Sequence, residues 1–141
     1  MVRISALGSL VKEIMEPASF DRMPEDVLIV EDDPIIALDF EDTILGFGVK
    51  TIRTAGSVAK ALDMIAERAP DFALLDVGLV REKSFAIAER LAALKIPFVF
   101  VTGYGADVRL PAAFADRARL PKPYSTDALR ALLSKSGGAR R

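Results

Sequence analysis

A chain of 141 residues, 51% of them hydrophobic, is long enough to fold as one domain with a sizeable core, and this composition excludes disorder throughout. The formal net charge of −1 provides no global attraction to nucleic acid or to an anionic membrane, and no apolar run is long enough to span a bilayer. With no cysteine and no histidine, the chain has no disulfide, thiolate or imidazole base, so any catalysis would use carboxylate, lysine or hydroxyl groups.

Residues 1–25 are predicted to be a helical extension followed by a linker. Between residues 4 and 15, apolar side chains recur at helical spacing, namely Ile4, Leu7, Val11, Ile14 and Met15. The polar residues within and after this segment make a signal peptide unexpected, so a soluble cytoplasmic protein is predicted. The extension is interpreted either as a segment packed on the domain or frayed, or as a contact for a dimer or a partner.

The remainder of the chain alternates between apolar runs and amphipathic segments. Five short strands are predicted, at 27–30, 50–54, 71–76, 97–101 and 118–121. Helices are predicted at 34–47, 57–69, 84–95 and 127–134, and the stretch 106–117, which contains Pro111, is expected to form a short or irregular fourth helix. Gly137 and Gly138 are expected to end the last helix, which gives a domain at 26–136 and a tail at 137–141. This order implies an α/β fold with a parallel sheet and helices on both faces.

Two of the predicted helices have well-defined apolar faces. In helix 34–47 one face is apolar except for its acid, and it consists of Ile35, Leu38, Asp42 and Leu45, with Ile36 and Phe40 close by. In helix 57–69 the expected buried stripe consists of Val58, Ala61, Leu62, Ile65 and Ala66.

Polar side chains stand where four of the predicted strands end. Glu31 and Asp32 follow the first strand, Asp76 closes the third, Thr102 follows the fourth and Lys122 follows the fifth. The carboxyl ends of parallel strands meet at one edge of the sheet, so three negative charges would be crowded there and would repel unless a cation lies between them. Carboxylate oxygens, with backbone carbonyls and water, suit Mg²⁺. The lysine could pair with a carboxylate or a bound phosphoryl group, and the threonine hydroxyl could donate to the same oxygens.

This combination of groups suits an aspartate that accepts a phosphoryl group, with Mg²⁺ and a lysine neutralising the transferring oxygens. A chain without histidine can receive a phosphoryl group in this way, but it cannot donate one from histidine. Simpler interpretations exist for single residues: Asp32 and Asp33 as helix caps before Pro34, Thr102 as a turn residue and Lys122 as a solvated side chain.

Several segments resemble the receiver domain of two-component response regulators, and these are Val27–Asp33, Leu74–Asp76, Val101–Gly103 and Leu120–Pro123. The resemblance covers residues 26–135 and implies a flavodoxin-like five-stranded sheet of order 2-1-3-4-5. It implies that Asp76 is the phosphoacceptor. It also implies that Glu31 and Asp32 hold Mg²⁺, with the backbone carbonyl of Gly78 as a further ligand. Two side chains would contact the phosphoryl group and carry the switch, Thr102 and Lys122.

The segment Pro97–Gly105 resembles more narrowly an atypical alphaproteobacterial subgroup known as FAT GUY regulators, whose motif is Phe-Ala-Thr-Gly, a variable residue and Tyr. Here Val101 replaces the alanine and Gly105 stands where the tyrosine would be. Members commonly consist of one domain, have a poorly formed fourth helix and pair with a distinct class of sensor histidine kinases. Three features depart from the wider family: Arg119 occupies the position of the usual aromatic switch residue, the loop after Asp76 lacks its usual proline and glycine, and the stretch between Thr102 and Lys122 is short and contains Pro111.

The sequence therefore predicts a stand-alone receiver that takes a phosphoryl group on Asp76 from a sensor histidine kinase or a phosphotransfer protein. It would signal through an unknown downstream protein or act as a phosphate sink, and it would not be an enzyme beyond slow self-dephosphorylation. One alternative is a pseudo-receiver, an interaction module that is not phosphorylated, which Arg119 and the altered loop after Asp76 keep open. A phosphohydrolase is less favoured because that class has Asp-x-Asp after the first strand, where this chain has Glu31-Asp32-Asp33.

Overall fold

The computed structural model describes residues 23–78, 84–102, 110, 112–114 and 116–140. The predicted helix at 4–15, the loop at 79–83 and the segment Gly103–Gly105 lie outside these residues.

The described part of the chain forms one five-stranded parallel sheet of order β2-β1-β3-β4-β5. Its strands are β1 (Asp26–Val30), β2 (Thr51–Ala55), β3 (Phe72–Asp76), β4 (Phe98–Thr102) and β5 (Arg119–Pro121). The helices within the same residues are α1 (Pro34–Gly46), α2 (Val58–Glu67), α3 (Phe85–Ala93), a 3₁₀ helix (Ala112–Phe114) and α4 (Thr126–Arg140). The predicted flavodoxin-like fold and its strand order are confirmed.

The core lies on both faces of the sheet, because successive side chains of a strand point to opposite faces. One face packs β1 against α2 and α3 and contains Leu28, Val30, Ala61, Ile65, Ile87, Ala88 and Leu91. The other packs β1 against α1 and α4 and contains Val27, Ile29, Phe40, Ile44, Leu129 and Leu133. Every residue of β3 and β4 is buried, as expected for strands covered on both faces, so these strands form a rigid base for their carboxyl ends.

Helix α1 starts directly after the acids that follow β1. The Asp33 carboxylate caps it by accepting hydrogen bonds from the N–H groups of Ile35 at 2.9 Å and Ile36 at 3.4 Å. Pro34 occupies the first turn, where its missing N–H is not needed. Gly48 has a φ of 97°, which favours glycine, and it turns the chain towards β2. The acids after β1 therefore sit in a short turn with a fixed backbone.

The apolar face predicted for helix 34–47 is not the face that packs on the sheet. Helix α1 buries Ala37, Phe40 and Ile44, whereas Ile35 and Leu38, like Leu45, are exposed. The helix is thus apolar on two sides.

Two further predictions differ from the structure in detail. Helix α4 continues through Gly137 and Gly138 to Arg140, so the prediction that these glycines end it is wrong. In α2, Ala66 is exposed at the edge of the buried stripe. The expected short or irregular helix between residues 106 and 117 is confirmed within the described residues, where Ala112–Phe114 form a 3₁₀ turn whose buried Phe114 ring lies 5.9 Å from the Phe100 ring. None of the helices in the described ranges combines the length and the apolar character needed to cross a membrane.

Candidate phosphoacceptor site

The structure brings together the three acids predicted from the strand ends. Glu31 and Asp32 follow β1, Asp76 is the last residue of the neighbouring β3, and one carboxylate oxygen from each lies within 4.8 Å of the other two. Glu31 and Asp76 are buried and Asp32 is half-buried. The parallel pairing of β1 with β3 is what places residues so far apart in sequence at one point.

Lys122 projects into this acidic cluster. Its ammonium donates to Glu31 Oε1 at 3.1 Å and lies 3.8 Å from Asp76 Oδ1. The backbone helps to place it, because the N–H of Lys122 donates to the carbonyl oxygen of Thr102 at 2.9 Å, immediately beyond the β4–β5 pairing. One positive charge therefore faces two of three negative charges, and the cluster retains an excess of negative charge.

Glu31 is the acid of the cluster whose pKa is raised. Burial raises the pKa of Glu31 from its usual value of 4.5 to about 7, and the negative charge of Asp76 adds to this rise. The N–H of Asp33, which donates to Glu31 Oε2 at 3.1 Å, and the ammonium of Lys122 act in the opposite direction. A cation placed among the acids would favour the ionised form of this carboxylate.

Asp76 is held by the turn that follows β3. The N–H of Gly78 donates to Asp76 Oδ1 at 3.1 Å, and a side chain added at Gly78 would place its Cβ 3.8 Å from the same oxygen. This short turn keeps the backbone of Gly78 beside the carboxylate. The role of its carbonyl as a metal ligand stays a prediction.

Thr102 lies at the same edge of the sheet. Asp76 pairs with Val101, so Thr102 is one residue beyond the aspartate on the adjacent strand, and it is buried. Arg119, at the position where receivers usually have an aromatic switch residue, is exposed at the start of β5. Thr102 and Lys122 are thus positioned beside the acids, while position 119 contributes no buried ring.

Tyr124 is a neighbour of the site that the sequence analysis did not identify. Its ring stacks on Phe40 with centroids 4.6 Å apart, and its hydroxyl donates to Asp39 Oδ2 at 2.8 Å and lies 3.1 Å from Thr43 Oγ1. Tyr124, Asp39 and Thr43 border an open groove of about 530 Å³ between α1 and the β5–α4 loop, which Lys122 also lines. The feature of the sequence that could have identified Tyr124 is its position, two residues after the candidate active-site lysine.

The donor set of the cluster fits a hard divalent cation. Within the described residues, the cluster consists of three carboxylates, so all of its side-chain ligands are oxygen atoms. Mg²⁺ favours a few carboxylates together with water. Glu31, Asp32 and Asp76 are the residues that would hold such an ion.

A flavodoxin-like sheet with an acidic cluster and a lysine at its carboxyl edge defines the receiver class of domain. The family model described as "Response regulator receiver domain" matches residues 27–134, and the chain belongs to this family.

Comparisons with individual proteins agree with this membership. The solved structure of SdrG from Sphingomonas melonis Fr1 is 45% identical, with a TM-score of 0.65, over 77% of this chain and 95% of SdrG. The phyllosphere-induced regulator PhyR of Methylorubrum extorquens is 31% identical over 106 residues, which are 73% of this chain but only 39% of PhyR. The polar-differentiation response regulator DivK of Brucella anthropi is 34% identical over 86 residues, 58% of this chain and 69% of DivK. The predicted resemblance to receiver domains is confirmed.

Proposed function

We propose that this chain accepts a phosphoryl group on Asp76 from the phosphohistidine of a sensor histidine kinase or of a histidine phosphotransfer protein, and that Mg²⁺ is required. The observation that supports this most directly is the convergence of Glu31, Asp32 and Asp76 within 4.8 Å, beside the ammonium of Lys122. A carboxylate beside cationic groups is a competent nucleophile towards phosphorus, because the positive charge offsets the charge of the transferring group.

In the proposed reaction, an oxygen of Asp76 forms a bond to phosphorus while the bond between phosphorus and the donor's imidazole nitrogen breaks. The imidazole keeps the electron pair of that bond and takes up a proton from water. Bound Mg²⁺ would supply positive charge to the transferring oxygens. Lys122, which lies 3.8 Å from Asp76 Oδ1, adds a second positive charge, and the Thr102 hydroxyl would donate to a phosphoryl oxygen. The N–H of Gly78, 3.1 Å from Asp76 Oδ1, holds the carboxylate in orientation.

The protein would act as a phosphoryl carrier and switch in the cytoplasm, with at most slow self-dephosphorylation. Family membership supports an output through binding of a downstream protein, and draining phosphate from a shared kinase is the second form such an output could take.

The test is the intact mass of the protein after incubation with a small phosphodonor and Mg²⁺. Wild type should gain the mass of one phosphoryl group and Asp76→Asn should gain none. A matched control is Asp63→Asn, since Asp63 is an exposed aspartate of α2 outside the acidic cluster, and this variant should be modified like wild type.

Circular dichroism of each variant would establish that the proteins compared are folded. Modification of folded Asp76→Asn would contradict the assignment of the phosphoacceptor. An unmodified wild type that is folded and does not respond to Mg²⁺ would instead favour the non-phosphorylated interaction module.

A further inference from the structure

Helix α1 presents an apolar stripe to solvent. Ile35 is 78% exposed, Leu38 55% and Leu45 53%, and these are three of the four large apolar side chains that are strongly exposed in the described part of the chain. Spacings of three and seven residues place them in one row along the helix. The opposite side of α1 is already buried against the sheet. Apolar residues therefore line both sides of the helix, as in a helix that packs against a neighbour on each side.

We propose that residues 4–15 of the same chain form an amphipathic helix that covers this stripe of α1. The apolar positions of that segment recur at helical spacing, from Ile4 to Met15. Residues 1–26 also lie outside the region matched by the receiver family, so this occupant is additional to the shared domain.

The dimensions of the two elements agree. Ten residues separate Ile35 from Leu45 and eleven separate Ile4 from Met15. At the helical rise these rows are about 15 and 16 Å long. Residues 16–22 join the segment to the described domain, and seven extended residues reach at most about 25 Å, which exceeds the length of α1, about 20 Å.

The chain enters the domain near the correct end of α1. Met23 packs on the cluster that contains Phe40 and Ile44 of α1, and the carbonyl of Glu25 accepts a hydrogen bond from the N–H of Thr51 at 2.9 Å. Thr51 follows the carboxyl end of α1 by only five residues. The linker therefore starts on the α1 face of the sheet and beside the end of α1 that carries Leu45.

The arrangement that this entry point favours also allows one pairing of opposite charges. Helix α1 contains three acids, Asp39, Glu41 and Asp42, and no basic residue. With Met15 next to Leu45 and the two helices parallel, Lys12 comes level with Asp42, the acid within the stripe, and Leu7 comes within one residue, about 1.5 Å, of the level of Leu38.

The absence of native cysteine makes a crosslinking test direct. In the full chain carrying Leu7→Cys and Leu38→Cys, mild oxidation should give a monomeric intramolecular disulfide, detected by non-reducing electrophoresis and intact mass. The matched control is Leu7→Cys with Leu94→Cys, because Leu94, 47% exposed against 55% for Leu38, is an exposed leucine that follows α3 on the opposite face of the sheet. This pair should crosslink at least tenfold more slowly. Equal rates for the two pairs would overturn the proposal, and so would a crosslinked dimer, which would indicate a second copy as the occupant.

A double-mutant cycle tests the same contact without crosslinking. Leu7→Ser and Leu38→Ser should each lower the melting temperature of the full chain, and the double variant should fall little further, because both changes remove one contact. The decreases should be independent of protein concentration. If Leu7→Ser does not change the melting temperature, or if the two effects are additive, the segment does not cover α1, and the stripe is left for a separate protein.

Discussion

Arg53 shows how much a single side chain can do at the amino end of the sheet. Its guanidinium donates to both oxygens of Asp26 at 3.1 Å, to the carbonyl of Met64 at 3.1 Å and to the carbonyl of Arg68 at 2.8 Å. The Met64 carbonyl lies in the last turn of α2, where it also accepts from the N–H of Arg68 at 3.0 Å, and Arg68 directly follows the helix. One arginine thus joins β2, β1 and α2.

We predict that Arg53→Lys lowers the free energy of unfolding by about 2 kcal/mol, because one ammonium cannot reproduce the planar fork that bridges a carboxylate and two carbonyls. The measurement is urea denaturation followed by circular dichroism. The matched control is Arg68→Lys: Arg68 also contacts Asp26, at 2.8 Å, but its side chain is 60% exposed against 15% for Arg53. That change should cost less than about 1 kcal/mol. Equal losses for the two variants would contradict this account.

The residues of the site were predictable to different degrees. Glu31, Asp32 and Asp76 stand out in the sequence because acids directly follow apolar strands, and a parallel sheet necessarily brings such positions together. The raised pKa of Glu31 was not predictable, since it depends on how deeply the side chain is buried and on the position of Lys122, 91 residues away. Tyr124 was missed for a similar reason: its contacts lie more than 80 residues away, and local pattern carries no information about them.

Among the elements, Tyr124 connects α1 to the loop that carries Lys122. The ring stacks on Phe40 while the hydroxyl bonds to Asp39 and Thr43, so packing and hydrogen bonding can be separated by substitution. We predict that Tyr124→Phe keeps the stacking and lowers the free energy of unfolding by about 1 kcal/mol, the usual contribution of a hydrogen bond. Thermal and urea unfolding near neutral pH provide the measurement.

The pH dependence of the same variant is a second check on this connection. Burial raises the pKa of Tyr124 above its usual value of 10, so the fold favours the neutral phenol. That contribution is complete below pH 10 and is lost as the pH rises beyond it, because the unfolded chain then releases the proton more readily. Wild type should lose stability faster than Tyr124→Phe above pH 10. A parallel decline of the two proteins would indicate that the hydroxyl is not held in the fold.

In helix α1 the periodicity of apolar residues predicts the helix but not the face that packs on the sheet. Its sequence carries two apolar stripes, one with Phe40 and Ile44 and another with Ile35 and Leu38, and nothing local decides which one packs on the sheet. The strands were easier, because β1, β3 and β4 are continuous apolar runs of the length expected for buried parallel strands. At Gly137 and Gly138 the local sequence predicts a helix end, because glycine commonly follows the last turn of a helix, whereas α4 continues through both residues.

For the molecule as a whole, the acidic cluster links cation binding to folding. The unfolded chain does not hold Glu31, Asp32 and Asp76 together, so an ion that binds the cluster stabilises the folded state. We predict that Mg²⁺ at one hundred times its dissociation constant raises the free energy of unfolding by about 2.7 kcal/mol. Thermal unfolding with Mg²⁺ or with EDTA measures this difference.

The effect should depend on pH through Glu31. Its pKa is about 7 in the metal-free fold, above the usual 4.5, so the contribution of the neutral acid is complete below pH 4.5 and is lost as the pH rises through 7. Binding of Mg²⁺ requires the carboxylate, and at low pH the ion must first displace that proton. The stabilisation by a fixed concentration of Mg²⁺ should therefore be larger at pH 8 than at pH 5.5, whereas a constant or inverted difference would exclude Glu31 as a ligand.

Two adjacent aspartates provide the matched comparison for this last prediction. Asp32→Asn removes a carboxylate from the cluster and should abolish most of the stabilisation by Mg²⁺, because the hard cation loses a charged oxygen ligand. Asp33→Asn keeps the oxygen that caps α1 by accepting from Ile35 at 2.9 Å, and Asp33 is outside the cluster, so its response should match wild type. Because both variants lose one negative charge at neighbouring positions, a general electrostatic effect of Mg²⁺ would weaken both responses equally. Loss confined to Asp32→Asn is the result that identifies a specific site at the carboxyl edge of the sheet.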